Sequence, residues 1–139
     1  MGRWSVWVGR VLSALPVLLM LFSAFLKFRA PPEVVKAFTG QFGYPEQTLM
    51  WLGVVELSCA VLYAIPRTAI LGAVLVTGYL GGAVATHVRV SDVWIPPAVL
   101  GVLAWVGLYL REPRLRELLP LRRPRNTGES LTPQGGSAT

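Results

Sequence analysis

The sequence predicts an all-α fold, a bundle of four transmembrane helices. Two observations predict it. Apolar residues make up 53% of the 139 residues and charged residues only 14%, and the apolar residues fall in four long stretches. Globular domains carry about 25% charged residues. With a mean hydropathy of +0.54, the composition excludes a water-soluble globular domain and, for most of the chain, a disordered one.

Each apolar stretch is long enough to cross the hydrocarbon core of a bilayer, which takes about 20 helical residues. The first stretch could instead be a secretory signal peptide with Arg3 and Arg10 as its basic region. No small-x-small cleavage site precedes Lys27, so a membrane span is favoured. The predicted spans are about 8–27, 47–65, 68–87 and 94–110, all within a membrane domain over residues 1–120.

The basic residues predict how the helices are oriented. Four spans put both termini on one side of the membrane, and nine basic residues fall on that side against four on the other. Because Lys and Arg are enriched in cytoplasmic loops, both termini are expected in the cytoplasm. We expect a multi-pass protein of the cell membrane, the inner membrane if the cell is bacterial. The nine are Arg3, Arg10, Arg67, Arg111, Arg114, Arg116, Arg122, Arg123 and Arg125.

The net charge of +6 and the isoelectric point near 10.3 would point to nucleic acid in a water-soluble domain. Here six arginines directly follow the last span, where they meet anionic lipid headgroups. No aromatic residues interleave with them as they do on a surface that binds a nucleic-acid strand. We therefore expect the lipid bilayer as a partner and no nucleic acid.

The connection between the first two spans is amphipathic. Within residues 31–47, apolar side chains recur at three- and four-residue spacings, as is typical of a short helix. This segment is expected either to lie on the membrane surface or to form a lid over the bundle. At the other end of the chain, residues 121–139 are expected to form a cytoplasmic tail that is basic at first and disordered from Asn126 onward.

Glu56 is an acid inside an apolar span, which makes it the most informative residue of the chain. Its carboxylate would be costly against lipid, so we expect it to point into the bundle. Lys27 ends the first span at a matching depth, and His87 ends the third span on the same side. We predict a buried polar cluster of Lys27, Glu56 and His87. This cluster either fixes the helix register through hydrogen bonds or handles protons or a ligand.

Two tyrosines extend this polar region. Tyr63 lies seven residues beyond Glu56 on nearly the same helix face, and Tyr79 lies in the third span, which Arg89 ends. Tyr63, Tyr79 and Arg89 are candidates for a polar-lined slot that would suit a quinone or another flat lipophile. The favoured alternative is that the tyrosines fill the core with their hydroxyls bonded to a neighbouring helix. No catalytic residue is assigned.

Small residues on the third span indicate close approach of helices. Gly78 and Gly82 form a GxxxG pair, and Gly81 and Ala85 form a second row. On the fourth span, small residues recur at Ala98, Gly101, Ala104 and Gly107. Such spacing lets backbones approach one another in a membrane. Packing inside one chain is the favoured interpretation, and a homodimer is the alternative.

Four segments carry a family resemblance. They are Ser23-Ala24-Phe25-Leu26-Lys27-Phe28, Leu52-Gly53-Val54-Val55-Glu56-Leu57, Gly78-Tyr79-Leu80-Gly81-Gly82-Ala83 running to Thr86-His87, and Trp105 through Arg111. In this order they resemble the DoxX-like family of small membrane proteins, over about residues 10–120. The resemblance implies a four-helix bundle associated with membrane redox systems, such as quinone-coupled thiosulfate oxidation and oxidative-stress complexes. Distant relatives act as assembly factors for membrane proteins.

Two functions stay open at this point. In the first, which is favoured, the protein is a non-catalytic membrane subunit or assembly factor that docks a membrane protein and requires no cofactor. In the second, it binds a quinone-like lipid, Glu56 and His87 move protons, and a partner supplies electrons. The chain has one cysteine and one histidine, so we expect no metal site, no dithiol redox pair and no autonomous enzymatic activity.

Overall fold

A computed structural model of the protein describes residues 2–119. Within this range the chain forms helices and their connections and no strand, which confirms the all-α prediction. The tail predicted over residues 121–139 lies outside the described residues. The helices are α1 (Arg3–Arg29), α2 (Pro32–Lys36) continued by a π-helical turn (Ala37–Gln41), α3 (Gln47–Ala64), α4 (Ala69–Arg89), α5 (Ile95–Arg111) and α6 (Pro113–Leu118).

Helix α1 is longer than the span predicted for it, since it begins at Arg3 and continues through Pro16 to Arg29. Its 27 residues extend about 40 Å at 1.5 Å per residue. The hydrocarbon core of a bilayer is only about 30 Å thick. The first turns of α1 therefore reach the membrane–water interface, where the exposed rings of Trp4 and Trp7 are favourably placed.

Three helices, α1, α3 and α4, are long and apolar enough to cross a membrane, and α5 is a shorter apolar helix of 17 residues. α1 packs against α3 and α5, and α4 packs against the same two helices, so that the four close into a ring. The four long helices alternate in direction along the chain, as the pairing of Ser13 with Tyr63 and of Lys27 with Glu56 shows for α1 and α3. We call the end where α1 begins and α5 ends the terminal end, and the end formed by residues 30–46 and 90–94 the far end.

Two glycines bring the helix backbones together near the terminal end. A Cβ atom on Gly72 of α4 would lie 2.2 Å from the backbone nitrogen of Tyr63 in α3. A Cβ atom on Gly107 of α5 would lie 2.7 Å from the backbone nitrogen of Ser13 in α1. No side chain fits at either position, so these two crossings fix how α4 meets α3 and how α5 meets α1.

Gly107 belongs to the row of small residues that the sequence marks on the fourth span, but the glycines marked on the third span lie elsewhere. In the described part of the chain, and apart from the surrounding turns of α4 itself, no heavy atom comes within 4 Å of a Cβ atom built on Gly78, Gly81 or Gly82. The prediction that these residues pack helices inside one chain is therefore wrong. The prediction was based on the GxxxG spacing. This spacing identifies a helix face that another helix can approach closely, but it does not show that a neighbouring helix is present.

The core near the terminal end is tied together by Tyr63. Its hydroxyl donates to the carbonyl oxygen of Ala104 at 2.6 Å and lies 3.0 Å from the hydroxyl oxygen of Ser13. A guanidinium nitrogen of Arg111 donates to the Tyr63 carbonyl oxygen at 2.9 Å, and this guanidinium also lies over the Tyr63 ring. One side chain thus connects α1, α3 and α5.

The outward faces of the four long helices are apolar. A water-soluble monomer rarely exposes contiguous apolar surface on this scale, whereas a bilayer covers it with acyl chains. The buried residues lie between the helices and include small and medium side chains such as Ala60, Ala73 and Val76. Large exposed side chains include Leu18, Phe22, Leu71, Val74 and Val102.

Candidate functional site

A cavity of about 490 Å³ lies among the four long helices toward the far end of the bundle. Sites that bind small molecules in proteins commonly measure about 300–1,000 Å³. Most of the lining is apolar, and it includes Met20, Leu80 and Leu100. The polar side chains of the lining are Ser23, Lys27, Tyr44, Glu56, Tyr79, Thr86 and His87.

Lys27 and Glu56 form an ion pair on the wall of this cavity. Side chains of a helix tilt toward the N-terminus of that helix. Lys27 therefore points back from the end of α1 into the bundle. Glu56 lies in α3, which is antiparallel to α1, so its side chain tilts toward the far end and meets Lys27. The Lys27 Nζ donates to Glu56 Oε2 at 2.7 Å. The two residues are only 8% and 4% exposed, so both charges are shielded from lipid and neutralise one another.

Ser23 and Tyr79 complete the surroundings of this pair. The Lys27 Nζ also donates to the Ser23 hydroxyl oxygen at 2.6 Å, one turn earlier in α1. From α4, Tyr79 lies beside the Glu56 carboxylate. Ser23 is not among the candidate site residues that the sequence predicts. The signal that could have found it is its four-residue spacing from Lys27, which places both side chains on one face of the helix.

His87 lines the same cavity without contacting the ion pair directly. Its Nδ1 lies 2.7 Å from the carbonyl oxygen of Ala83. A carbonyl oxygen can only accept, so Nδ1 carries the hydrogen, and Nε2 of a neutral ring is an acceptor. This Nε2 lies 3.9 Å from Oδ2 of Asp92, and the ring packs against Phe42. His87 therefore stands between the cavity and the far end.

The amphipathic segment between α1 and α3 covers the cavity, so of the two arrangements predicted for it the structure has the lid. We call residues 31–44 the lid. Its side chains Phe38, Phe42 and Tyr44 line the cavity from the far end. The Tyr44 hydroxyl is hydrogen-bonded to that of Thr86 in α4 at 2.8 Å. A guanidinium nitrogen of Arg89 donates to the Phe42 carbonyl oxygen.

Two of the residues predicted for a ligand slot lie outside the cavity lining. Tyr63 is buried in the core near the terminal end, where its hydroxyl is bonded within the bundle. Arg89 lies at the end of α4 and holds the lid through Phe42 and through the ring of Tyr44. Tyr79 is the one of the three that lines the cavity. Spacing along the helix cannot separate Tyr63 from Tyr79 because both face the ring interior.

All of the polar lining residues lie within a stretch of the chain that matches a known family. The family model of the DoxX-like family matches residues 11–107. The chain belongs to the DoxX-like family. This confirms the resemblance carried by the four sequence segments, and together with three helices of membrane length it makes the chain a multi-pass membrane protein. Comparisons with curated proteins and with solved structures gave no match.

The site of this DoxX-like protein can form hydrogen bonds in two regions of one apolar cavity. Lys27, Glu56 and Tyr79 provide donors and an acceptor on one side, and His87 provides an acceptor nearer the lid. Because the ion pair is neutral as a whole, a neutral ligand with polar groups fits this lining better than an ion. Within residues 2–119, no group of three or more His, Cys, Asp and Glu side chains is placed to hold a metal ion.

Proposed function

We propose that this DoxX-like protein binds a small lipophile with hydrogen-bonding groups, such as a quinone-like ring, in the cavity between its helices. The observation that carries the proposal is the position of the Lys27–Glu56 pair. A pair that only fixed helix register would be enclosed by packed side chains. This pair instead borders a space of about 490 Å³ that is largely apolar.

The lining supports binding with orientation. A carbonyl or hydroxyl group of the ligand would meet the Tyr79 hydroxyl or the Lys27 ammonium at one side of the ring. A second polar group could donate to Nε2 of His87. The apolar remainder of the lining, including Met20 and Leu100, would cover the ring faces.

Proton transfer between such a ligand and Glu56 or His87 is the extension of this proposal. A carboxylate and an imidazole can both accept and release protons within hydrogen-bond reach of a ligand. Reduction of a quinone also requires electrons, and the sequence has a single cysteine and no recognisable cofactor motif. We therefore propose a partner protein as the electron source and no autonomous activity for this chain.

The membrane arrangement belongs to the same proposal. We propose four transmembrane helices, α1, α3, α4 and α5, with both termini in the cytoplasm of a cell, on the inner membrane in a bacterium. The distribution of basic residues supports this orientation, because Arg10, Arg67 and Arg111 lie toward the terminal end. The cavity and its lid then lie in the outer half of the bundle.

A second candidate function is that of a non-catalytic subunit or assembly factor. The observation that favours it is the face of α4 that carries Gly78, Gly81, Gly82 and Ala85. These residues are exposed, and a Cβ atom built on any of the three glycines would meet no other helix in the described chain. In a membrane, small residues at this spacing let a helix of another protein, or of a second copy, approach closely.

The two functions can be separated by what purifies with the protein. Extraction in a mild detergent, followed by mass spectrometry of bound lipids, should find a quinone or related lipophile at close to one molecule per protein. The variant Glu56→Gln should lose it, and Glu33→Gln, which changes an exposed carboxylate on the lid outside the cavity lining, should retain it. A partner protein without any bound lipophile would instead support the second function.

A further inference from the structure

The lining of the cavity includes a position that faces away from the centre of the bundle. Gly78 lies two residues from Val76 and two from Leu80, both of which are buried. Two helical residues correspond to a rotation of about 200°, so Gly78 points almost opposite to these core positions. It is exposed, and yet it lines the cavity, as does the neighbouring exposed Gly82. The cavity therefore continues past the side of α4 to the outer surface of the bundle.

This opening exists because glycine has no side chain. Apart from the adjoining turns of α4, no atom of residues 2–119 lies within 4 Å of the positions that a Cβ atom on Gly78 or Gly82 would take. At the terminal end of the same helix, the space that a Cβ atom on Gly72 would take is instead occupied by the backbone of Tyr63. α4 is thus in close contact with α3 at the terminal end. Closer to the far end, at Gly78 and Gly82, it leaves a passage along its side.

The passage opens at the depth of the acyl chains. Helix α4 has 21 residues and runs from Ala69 to Arg89. Gly78 stands nine residues after its start, or about 13 Å along the axis at 1.5 Å per residue. That is close to the middle of a hydrocarbon core of about 30 Å. A molecule that reaches from the cavity through this passage meets lipid rather than water.

Three other directions out of the cavity are obstructed by named contacts, while the exposed lining residues Leu19 and Pro96 lie on the side of α1 and α5. Phe42 and Tyr44 of the lid cover the far end. The Lys27–Glu56 pair joins α1 to α3 on one wall. Toward the terminal end the ring is filled by Tyr63 and its hydrogen bonds. The side of α4 is therefore a route that leaves the cavity without the displacement of a buried contact, and it is the one lined by residues without side chains.

We propose that the ligand of this cavity is a tailed amphiphile. Its polar ring occupies the cavity, and its hydrocarbon tail leaves over Gly78 and Gly82 into the acyl-chain layer, which is also the route by which it enters. The inference rests on the proposed function, because it assumes that the cavity holds a ligand. It adds the ligand's class, a membrane-dissolved molecule with a long apolar tail, and it assigns a role to two glycines that pack against nothing in the described chain.

The test compares two ligands and three variants in detergent solution. The ligands are the ubiquinone headgroup without a tail and decylubiquinone, with binding followed by quenching of tryptophan fluorescence. The variant Gly78→Leu places a branched side chain in the passage and outside the ring interior. It should weaken binding of decylubiquinone by about tenfold, the equivalent of about 1.4 kcal/mol, and leave binding of the tail-less headgroup within about twofold of wild type.

The controls use the same helix. Gly81→Leu adds the same side chain at an exposed position that does not line the cavity, so both ligands should bind it as they bind the wild type. Gly78→Ala should give a smaller loss than Gly78→Leu, because a methyl group only narrows the passage. The thermal unfolding midpoint of each variant shows that the bundle is intact.

The possible results distinguish the tail route from ligand binding in the cavity. Equal binding of decylubiquinone by Gly78→Leu and wild type, or an equal loss for both ligands, overturns the tail route while the cavity remains a binding site. Failure of both ligands to bind the wild-type protein overturns the proposed quinone-like function, and the tail route with it. A loss confined to the tailed ligand and to the Gly78 variants supports both.

Discussion

The Lys27 ammonium and the Glu56 carboxylate, 29 residues apart in the sequence, meet at 2.7 Å on the wall of the cavity. Burying two charges is costly, and a buried ion pair is often no more stabilising than apolar side chains of the same size. In a membrane, an unpaired charge at this position would not be hydrated by water. The two charges therefore need one another more than they would in a water-soluble protein. The pair is therefore better explained by the polar groups that it provides to the cavity than by a contribution to the stability of the bundle.

Removal of one partner tests this interpretation of the pair. We expect Lys27→Met to lower the free energy of unfolding by about 3–5 kcal/mol, because it leaves the Glu56 carboxylate buried without its cation. Replacement of both, in Lys27→Met with Glu56→Leu, should restore most of that loss. Unfolding by SDS in mixed micelles measures each value. A double variant that is as unstable as the single one would show that the pair itself stabilises the bundle.

The approach of Lys27 to Glu56 could be anticipated from sequence because few arrangements are open to a charge in a membrane span. The acid must face inward, and the topology leaves few cations at its depth. The place of His87 could not be derived in the same way. Its ring is set by Asp92 and Phe42, which come from two connections between helices, and periodicity along a span says nothing about how connections fold.

The two buried tyrosines should respond differently to loss of the hydroxyl group. Tyr63→Phe removes the hydrogen bond to the Ala104 carbonyl and the contact with Ser13. Each such bond in a membrane is worth about 0.6 kcal/mol and at most about 1.7, so we expect a loss of unfolding free energy of about 1–2 kcal/mol and unchanged ligand binding. The SDS titration used for the ion pair measures the first, and quenching by decylubiquinone measures the second.

Tyr79→Phe is the matched comparison, since Tyr79 lines the cavity beside Glu56. We expect it to weaken ligand binding by about tenfold, because a hydrogen-bond donor to the ligand is lost, with a smaller effect on unfolding than Tyr63→Phe. Equal ligand binding by Tyr79→Phe and wild type would remove the phenol from the proposed site. A loss of binding in Tyr63→Phe would show that the core and the cavity are coupled.

The glycines show where sequence reasoning stops. The spacing of Gly78 and Gly82 is the standard signature of close helix packing, yet the close contact of α4 is made by Gly72. Gly107, which the small-residue spacing of the fourth span does mark, makes the contact of α5 with α1. Gly72 has no glycine partner at the four-residue spacing in α4, so no motif distinguishes it. What decides between them is the crossing point of two helices, which depends on the length of the turn that joins α3 to α4 and on the side chains opposite.

Substitution by alanine should have different effects on the stability of the bundle at these two kinds of glycine. In Gly72→Ala the new Cβ atom would lie 2.2 Å from the Tyr63 backbone nitrogen, and because the obstacle is backbone the helices must move apart. We expect a loss of at least about 1–3 kcal/mol in unfolding free energy. Gly81→Ala, in open space, should be neutral or stabilising by up to about 1 kcal/mol from helix propensity. Similar stabilities for the two variants would contradict the tight crossing of α3 and α4.

The lid depends on Arg89, whose guanidinium donates to the Phe42 carbonyl oxygen and lies over the Tyr44 ring. Loss of this anchor in Arg89→Gln should let the lid open more often without unfolding the bundle. The amides that report it are those of Phe42 and Tyr44, which donate to the carbonyl oxygens of Ala37 and Phe38 at 3.0 and 2.8 Å. We expect their hydrogen–deuterium exchange to rise about tenfold.

Lys36→Gln is the control for the Arg89 variant, because it removes an exposed cation on the same lid. Exchange at Phe42 and Tyr44 should then stay at the wild-type rate. If Arg89→Gln also leaves exchange unchanged, the lid is held by its aromatic contacts with His87 and by the Tyr44–Thr86 hydrogen bond instead. If exchange rises throughout α3 and α4 as well, Arg89 supports the whole bundle, and the lid does not move independently of the bundle.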